Sequence, residues 1–180
     1  MADESILPAE LVALARRVVD ENRALGRKLA LAESCTGGLV AAALTEIPGS
    51  SAVLDRGFVT YSNEAKTESL GVPPDLIDTF GAVSIATAWA MARGALKHSR
   101  ADVAVAISGV AGPDGGTALK PVGTVVFARA FREGEAEPEG ELKRLDGGSR
   151  AAIRLQAAIA ALELLLPPQP AANVETGGAP

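Results

Sequence analysis

The sequence predicts an α/β fold, a three-layer α/β/α sandwich around a mixed sheet of about five strands, on three observations. Helical and strand-like patterns alternate along the chain, as they do where helices cover both faces of a sheet. Residues 103–107, Val-Ala-Val-Ala-Ile, are apolar without a break, the mark of a strand buried on both sides. An apolar run over 29–32 also enters the turn Glu33-Ser34-Cys35-Thr36-Gly37-Gly38 and a second leaves over 39–44, so a strand passes sharply into a helix. The 180 residues suit one domain, expected over 1–166. Hydrophobic residues make up 48% but aromatics only 3%, so small aliphatic side chains must pack the core.

In chain order, Pro8 opens an amphipathic helix with Leu11, Leu14, Ala15, Val18 and Leu25 on one face and Gly26 as its stop. Residues 28–32 form the first strand, and the helix after the glycine turn runs to about Ile47. A second strand covers 53–62, rich in β-formers at 58–61. Asn63 caps a short helix over 64–70 that Gly71 closes, and Pro73-Pro74 starts another to Phe80. Ser84 caps a helix whose stripe is Ile85, Ala88, Trp89, Ala92 and Leu96, with Trp89 expected in the core. After the strand over 101–108 comes a loop, 109–117, punctuated by four glycines and a proline. A strand over 122–131, an acidic turn over 133–140 and a short edge strand over 141–145 follow. Residues 147–150 cap a final helix to Leu166, apolar nearly all round, and 167–180 read as a disordered tail.

Composition excludes several classes. The net charge is −5 and no Lys/Arg cluster forms a basic stripe, so no nucleic-acid partner is expected. One cysteine rules out a disulfide framework and fits a reducing cytoplasm. The acidic start is no signal peptide, and no apolar stretch reaches the roughly 18 residues of a membrane span. One histidine and one cysteine make a nitrogen–sulfur metal cluster improbable, and no metal or other cofactor is expected. That lone histidine, His98, sits at a helix end, so a hydrolase base here would be a lysine or a carboxylate.

Ligands in such sheets bind beyond the strand C-termini. Three segments follow strands: the 34–38 turn, residues 61–66, and the 109–117 loop. Ser34 at a helix start can act as a nucleophile, or simply as an N-cap, as can Thr36. Cys35 is intrinsically more nucleophilic, but a free cysteine is more often a small buried hydrophobe. Lys66 becomes a base if a cleft strips its water, or stays an ordinary solvated lysine. Tyr61 ends a strand, and Arg150 at a glycine-led helix start can grip a phosphate. The glycine loop can offer amides to the same anion, or be only a structural turn. The candidate catalytic set is Ser34, Lys66 and Tyr61; the candidate substrate-binding set is Thr36, Gly37, Gly38, Ser108, Gly109, Gly112 and Arg150.

Glu-Ser-Cys-Thr-Gly-Gly at 33–38, Gly-Phe-Val-Thr-Tyr-Ser-Asn-Glu-Ala-Lys at 57–66, Gly-Ala-Val-Ser at 81–84, Ile-Ser-Gly-Val-Ala-Gly-Pro-Asp-Gly-Gly-Thr at 107–117 and Lys-Pro-Val-Gly-Thr-Val at 120–125 resemble the C-terminal domain of competence/damage-inducible protein A, CinA. The resemblance covers about residues 8 to 166. It implies deamidation of nicotinamide mononucleotide to nicotinate mononucleotide and ammonia, in salvage of pyridine nucleotides toward NAD. It also implies a serine–lysine pair at Ser34 and Lys66, with Tyr61 nearby. Larger relatives carry an N-terminal domain with pyrophosphatase activity, which is not expected of this chain. The family often has Gly-Asp-Arg before the last helix; here Gly148-Ser149-Arg150 keeps the arginine and loses the acid. The expected partner is thus a small nucleotide substrate, in a cytoplasmic homo-oligomer away from membranes. Two rival readings use the same features: a nucleotide-binding module without turnover, and an oligomerisation domain built on the 149–166 helix.

Overall fold

Alternation along the central strands sets the two faces of the sheet. In β1 (Leu29–Glu33), Leu29 and Leu31 point to one core and Ala30 and Ala32 to the other. β3 (Val103–Gly109) repeats this, with Val103, Val105 and Ile107 opposite Ala104 and Ala106. The chain, described over residues 5–132 and 139–168 by a computed structural model, forms a five-stranded sheet. β2 (Leu54–Val59) and β3 flank β1 in parallel, while β4 (Thr124–Phe131) is antiparallel to β3 and β5 (Glu139–Arg144) to β4. The order is β2-β1-β3-β4-β5.

The large-residue face carries α1 (Ala9–Ala24), α2 (Leu39–Thr45) and α6 (Arg150–Leu165). The alanine face carries α3 (Asn63–Leu70), α4 (Pro74–Phe80) and α5 (Ile85–Lys97). Small side chains on both partners let α5 lie close, through Ala88, Ala92 and Ala95. At Gly94 a Cβ would stand 2.1 Å from Leu70 O, so only glycine lets α5 press against the end of α3. That contact matters because α3 carries Lys66.

The three-layer mixed sheet is the fold the sequence predicts, with local differences. Leu25 lies beyond α1 and is exposed, and Val19 and Asn22 complete the buried face instead. β2 stops at Val59. Ser62 rather than Asn63 caps α3, because its hydroxyl accepts the Ala65 N–H at 3.0 Å while its backbone stays extended. Trp89 is half-buried and packs against the rim of the core: Met91 and Ala95 hold the centre of the α5 face, and Arg93 stacks over the indole. Ser149 caps α6 by accepting from Ala152 N, the task an aspartate would perform there. α6 buries one side against α1, α2 and the sheet. Most of the acidic turn and of the tail falls outside the described residues.

Candidate active site

The C-terminal ends of three parallel strands hold the nucleophile candidate between them. Past the β1 ladder, Ser34 N donates to Ile107 O at 2.9 Å on the β3 side, and Thr60 N donates to Glu33 O at 2.8 Å on the β2 side. The chain then turns through Gly37 and Gly38, at φ 62° and 93°, values that favour glycine. The side chain of Glu33 folds back under this turn. Its carboxylate is 1% exposed and accepts N–H groups of Gly38 at 3.0 Å, Val40 at 3.2 Å and Ala41 at 2.9 Å. A buried anion thus takes the place of a side-chain cap at the positive end of α2. Gly37 N donates to Ser34 O, and Leu39 N to Thr36 O. Among the described residues the amides of Cys35 and Thr36 donate no hydrogen bond to another residue.

Lys66 reaches this turn from α3. It is 1% exposed, and its Nζ lies 3.1 Å from Ser34 Oγ. The same amine donates to the carbonyl oxygens of Thr60 at 2.9 Å, Tyr61 at 3.4 Å and Ser62 at 3.4 Å. No carboxylate forms an ion pair with it among the described residues. Burial therefore dominates and pulls its pKa below the usual 10.5, against weaker opposing effects of Cys35 and Glu64. An amine that loses its proton beside a hydroxyl within hydrogen-bond reach is a proton acceptor for it.

Cys35 points the other way. It is 5% exposed and belongs to the core beneath α1, α2 and α6. Burial pushes its thiol up to about 11, so it is no thiolate near neutrality. Its sulfur fits because Gly109 has no side chain: a Cβ there would lie 3.1 Å from Sγ and 2.9 Å from Thr124 O.

The other expected site residues divide. Tyr61 is 61% exposed, and its hydroxyl accepts from Arg150 at 2.8 Å; its main-chain carbonyl, not its phenol, touches Lys66. Arg150 also donates to Gly112 O at 2.6 Å, joining the glycine loop to Tyr61 across the mouth of the site. Thr36 is fully buried and its hydroxyl has no partner among the described residues. The Gly38 amide is taken by Glu33. Ser108 is 2% exposed and its hydroxyl donates to Ala82 O at 2.8 Å, tying down the segment before α5. Two residues escaped the sequence reading as parts of this region. One is Glu33. The other is Arg154, whose guanidinium donates to Cys35 O at 3.2 Å and Thr36 O at 2.9 Å. A signal for Arg154 was present: two arginines four apart begin α6 with no acid in its first turn, against the helix dipole. Among the described residues, no three His, Cys, Asp or Glu gather as a metal site and no helix is long and apolar enough to cross a membrane.

The chain is 50% identical over 157 residues to a protein of Escherichia coli K12 named nicotinamide-nucleotide amidohydrolase PncC, covering 87% of this chain and 93% of that one. It is 54% identical over 135 residues to a CinA-like protein of Akkermansia muciniphila, covering 75% of this chain but only 33% of that longer protein. The crystal structure of competence/damage inducible protein CihA from Agrobacterium tumefaciens superposes with a TM-score of 0.85 at 51% identity, covering 89% of this chain and 96% of that one. Residues 11–167 match the CinA C-terminal domain, and the chain belongs to that family.

Proposed function

We propose that this chain hydrolyses the carboxamide of nicotinamide mononucleotide, with Ser34 as nucleophile and Lys66 as base. The approach of a buried amine without a counter-ion to within 3.1 Å of the serine hydroxyl carries the reading. The likeness to the E. coli amidohydrolase supports the substrate.

Ser34 Oγ attacks the carboxamide carbon as its proton passes to Lys66 Nζ. The carbonyl electrons move to oxygen, and the amides of Cys35 and Thr36 receive that oxyanion. The amides of Gly37 and Gly38, members of the candidate substrate-binding set, are committed to Ser34 O and Glu33. Lys66 next gives its proton to the departing nitrogen and ammonia leaves. A nicotinoyl ester on Ser34 remains. Water attacks that ester while Lys66 takes a proton from it, and the C–O bond to Ser34 breaks. Nicotinate mononucleotide departs and Ser34 recovers its hydrogen. Arg150, with N–H groups on Gly112 O and the Tyr61 hydroxyl, faces the ribose phosphate. Tyr61, which the sequence puts in the candidate catalytic set, then serves as a wall for the nucleotide. The product feeds salvage toward NAD.

Ammonia release from nicotinamide mononucleotide tests this. Ser34→Ala and Lys66→Ala are each expected to abolish it with the fold kept, and Cys35→Ala to retain it. Turnover kept by Ser34→Ala and lost in Cys35→Ala would overturn the reading.

A further inference from the structure

We infer that Arg154 is a positioning residue that sharpens the oxyanion-binding amide of Thr36 through the Cys35–Thr36 peptide. The inference rests on the reading of Ser34 as nucleophile. The Thr36 N–H belongs to the peptide whose carbonyl oxygen, that of Cys35, accepts Arg154 Nε at 3.2 Å. The next carbonyl, Thr36 O, accepts Arg154 Nη2 at 2.9 Å. A cation on a peptide oxygen draws electron density toward that oxygen and leaves the N–H of the same peptide more positive. That N–H has no partner among the described residues, whereas those of Gly37, Gly38 and Leu39 are spoken for. It lies two residues after Ser34 at a strand-to-helix turn, next to the amide of the following residue that such turns offer to an oxyanion.

The turn is held from both sides. Glu33 gathers the amides of Gly38, Val40 and Ala41 below it, and Arg154 gathers the carbonyls of Cys35 and Thr36. Opposite charges thus take opposite ends of the local peptide dipoles, and the Thr36 amide is left over between them. Arg154 has no carboxylate partner among the described residues, and its guanidinium donates to these two carbonyls. An arginine that merely glued α6 to the turn would support substrate, product and transition state equally. One that polarises an oxyanion donor acts only when negative charge builds on the carbonyl oxygen.

The test compares Arg154→Met and Arg154→Lys with wild type in turnover of nicotinamide mononucleotide. Binding of two probes is also measured: nicotinate mononucleotide and the 3-formylpyridine mononucleotide. The aldehyde accepts Ser34 Oγ at its carbonyl carbon; its π electrons become an alkoxide and the serine proton goes to Lys66. Arg154→Met is expected to lower kcat about 30-fold with KM within about two-fold. Its affinity for the aldehyde falls by the same factor, and its affinity for nicotinate mononucleotide holds. Arg154→Lys, which keeps the charge and one donor, recovers most of both losses. Should the methionine variant not fold, the lysine variant carries the same paired reading at about five-fold. A fall in kcat without the matching loss of aldehyde affinity overturns the inference, as does equal weakening of both probes. Ser34→Ala run alongside separates the two readings. If it is inactive while Arg154→Met turns over normally, only the role of Arg154 fails. If it is active, the serine reading fails and takes this inference with it.

Discussion

The two ends of the sheet each bury a cation, and they treat it in opposite ways. At the C-terminal end of β1, Lys66 is 1% exposed and meets a hydroxyl and three carbonyls but no acid. At the other end Arg129, whose side chain is 13% exposed, donates to both carboxylate oxygens of Glu139 at 2.6 Å and to Leu164 O at 2.9 Å. Arginine keeps its proton, so burying it calls for an anion and helix-end carbonyls. Lysine can shed its proton instead, and burial without an acid drives it that way. Glu33, the acid next to Ser34 in the chain, spends its charge instead on the amides of Gly38, Val40 and Ala41 at the start of α2. A paired cation holds the fold together; an unpaired one beside a hydroxyl is ready for chemistry.

Substitutions can break this contrast. Lys66→Met is expected to lower turnover by about a thousand-fold or more while changing stability by no more than about 1 kcal/mol, since the lost amine had no counter-ion to strand. Ammonia release and a urea transition measure the two. The pH dependence follows in sign. Because burial lowers the Lys66 pKa from 10.5, the unfolded chain binds more protons between the lowered value and 10.5. Stability therefore rises with pH across that window, and the penalty is complete below it. In the same direction kcat/KM climbs as Lys66 gives up its proton. A stability slope that survives in Lys66→Met would assign it to another group.

Glu33→Gln should cost about 2 kcal/mol, because an amide oxygen replaces a carboxylate that three N–H groups share and its NH2 faces donors. The midpoint of denaturant unfolding reports this, and turnover should fall with it as Ser34 loses its fixed approach. An unchanged midpoint would remove Glu33 from the architecture of the turn. The smallest effect belongs to the far end. Glu139 has a side chain 54% exposed, and Glu139→Gln should shift stability by less than about 1 kcal/mol with turnover unchanged. A loss of turnover there would deny that the two ends work independently.

Much of the scaffold was legible because it depends on short-range rules. The uninterrupted apolar run at 103–107 announced a strand covered on both faces, and glycines marked the ends of helices at Gly26 and Gly71. Ser84 was readable as a cap, and the cap of the last helix was readable to within 147–150, because a hydroxyl three residues before a free amide acts locally. Trp89, expected in the core, packs at its rim instead of its centre, because periodicity names a stripe without saying which of its edges meets the sheet. Tyr61 was placed near Lys66 correctly along the chain, but alternation after Thr60 turns the phenol outward to Arg150.

What the sequence determined by itself was the layering, the turn chemistry and the short list of reactive side chains, because periods, caps and glycine conformations act over a few residues. What only the tertiary structure decided was who faces whom. Ser34 and Lys66 stand 32 residues apart, and Arg154 reaches a carbonyl 119 residues away. Such meetings depend on parallel strands ending at one level and on α3 and α6 packing on opposite faces of the sheet. Whether a lysine is dry, and whether an acid nearby is free to pair with it, are properties of that packing.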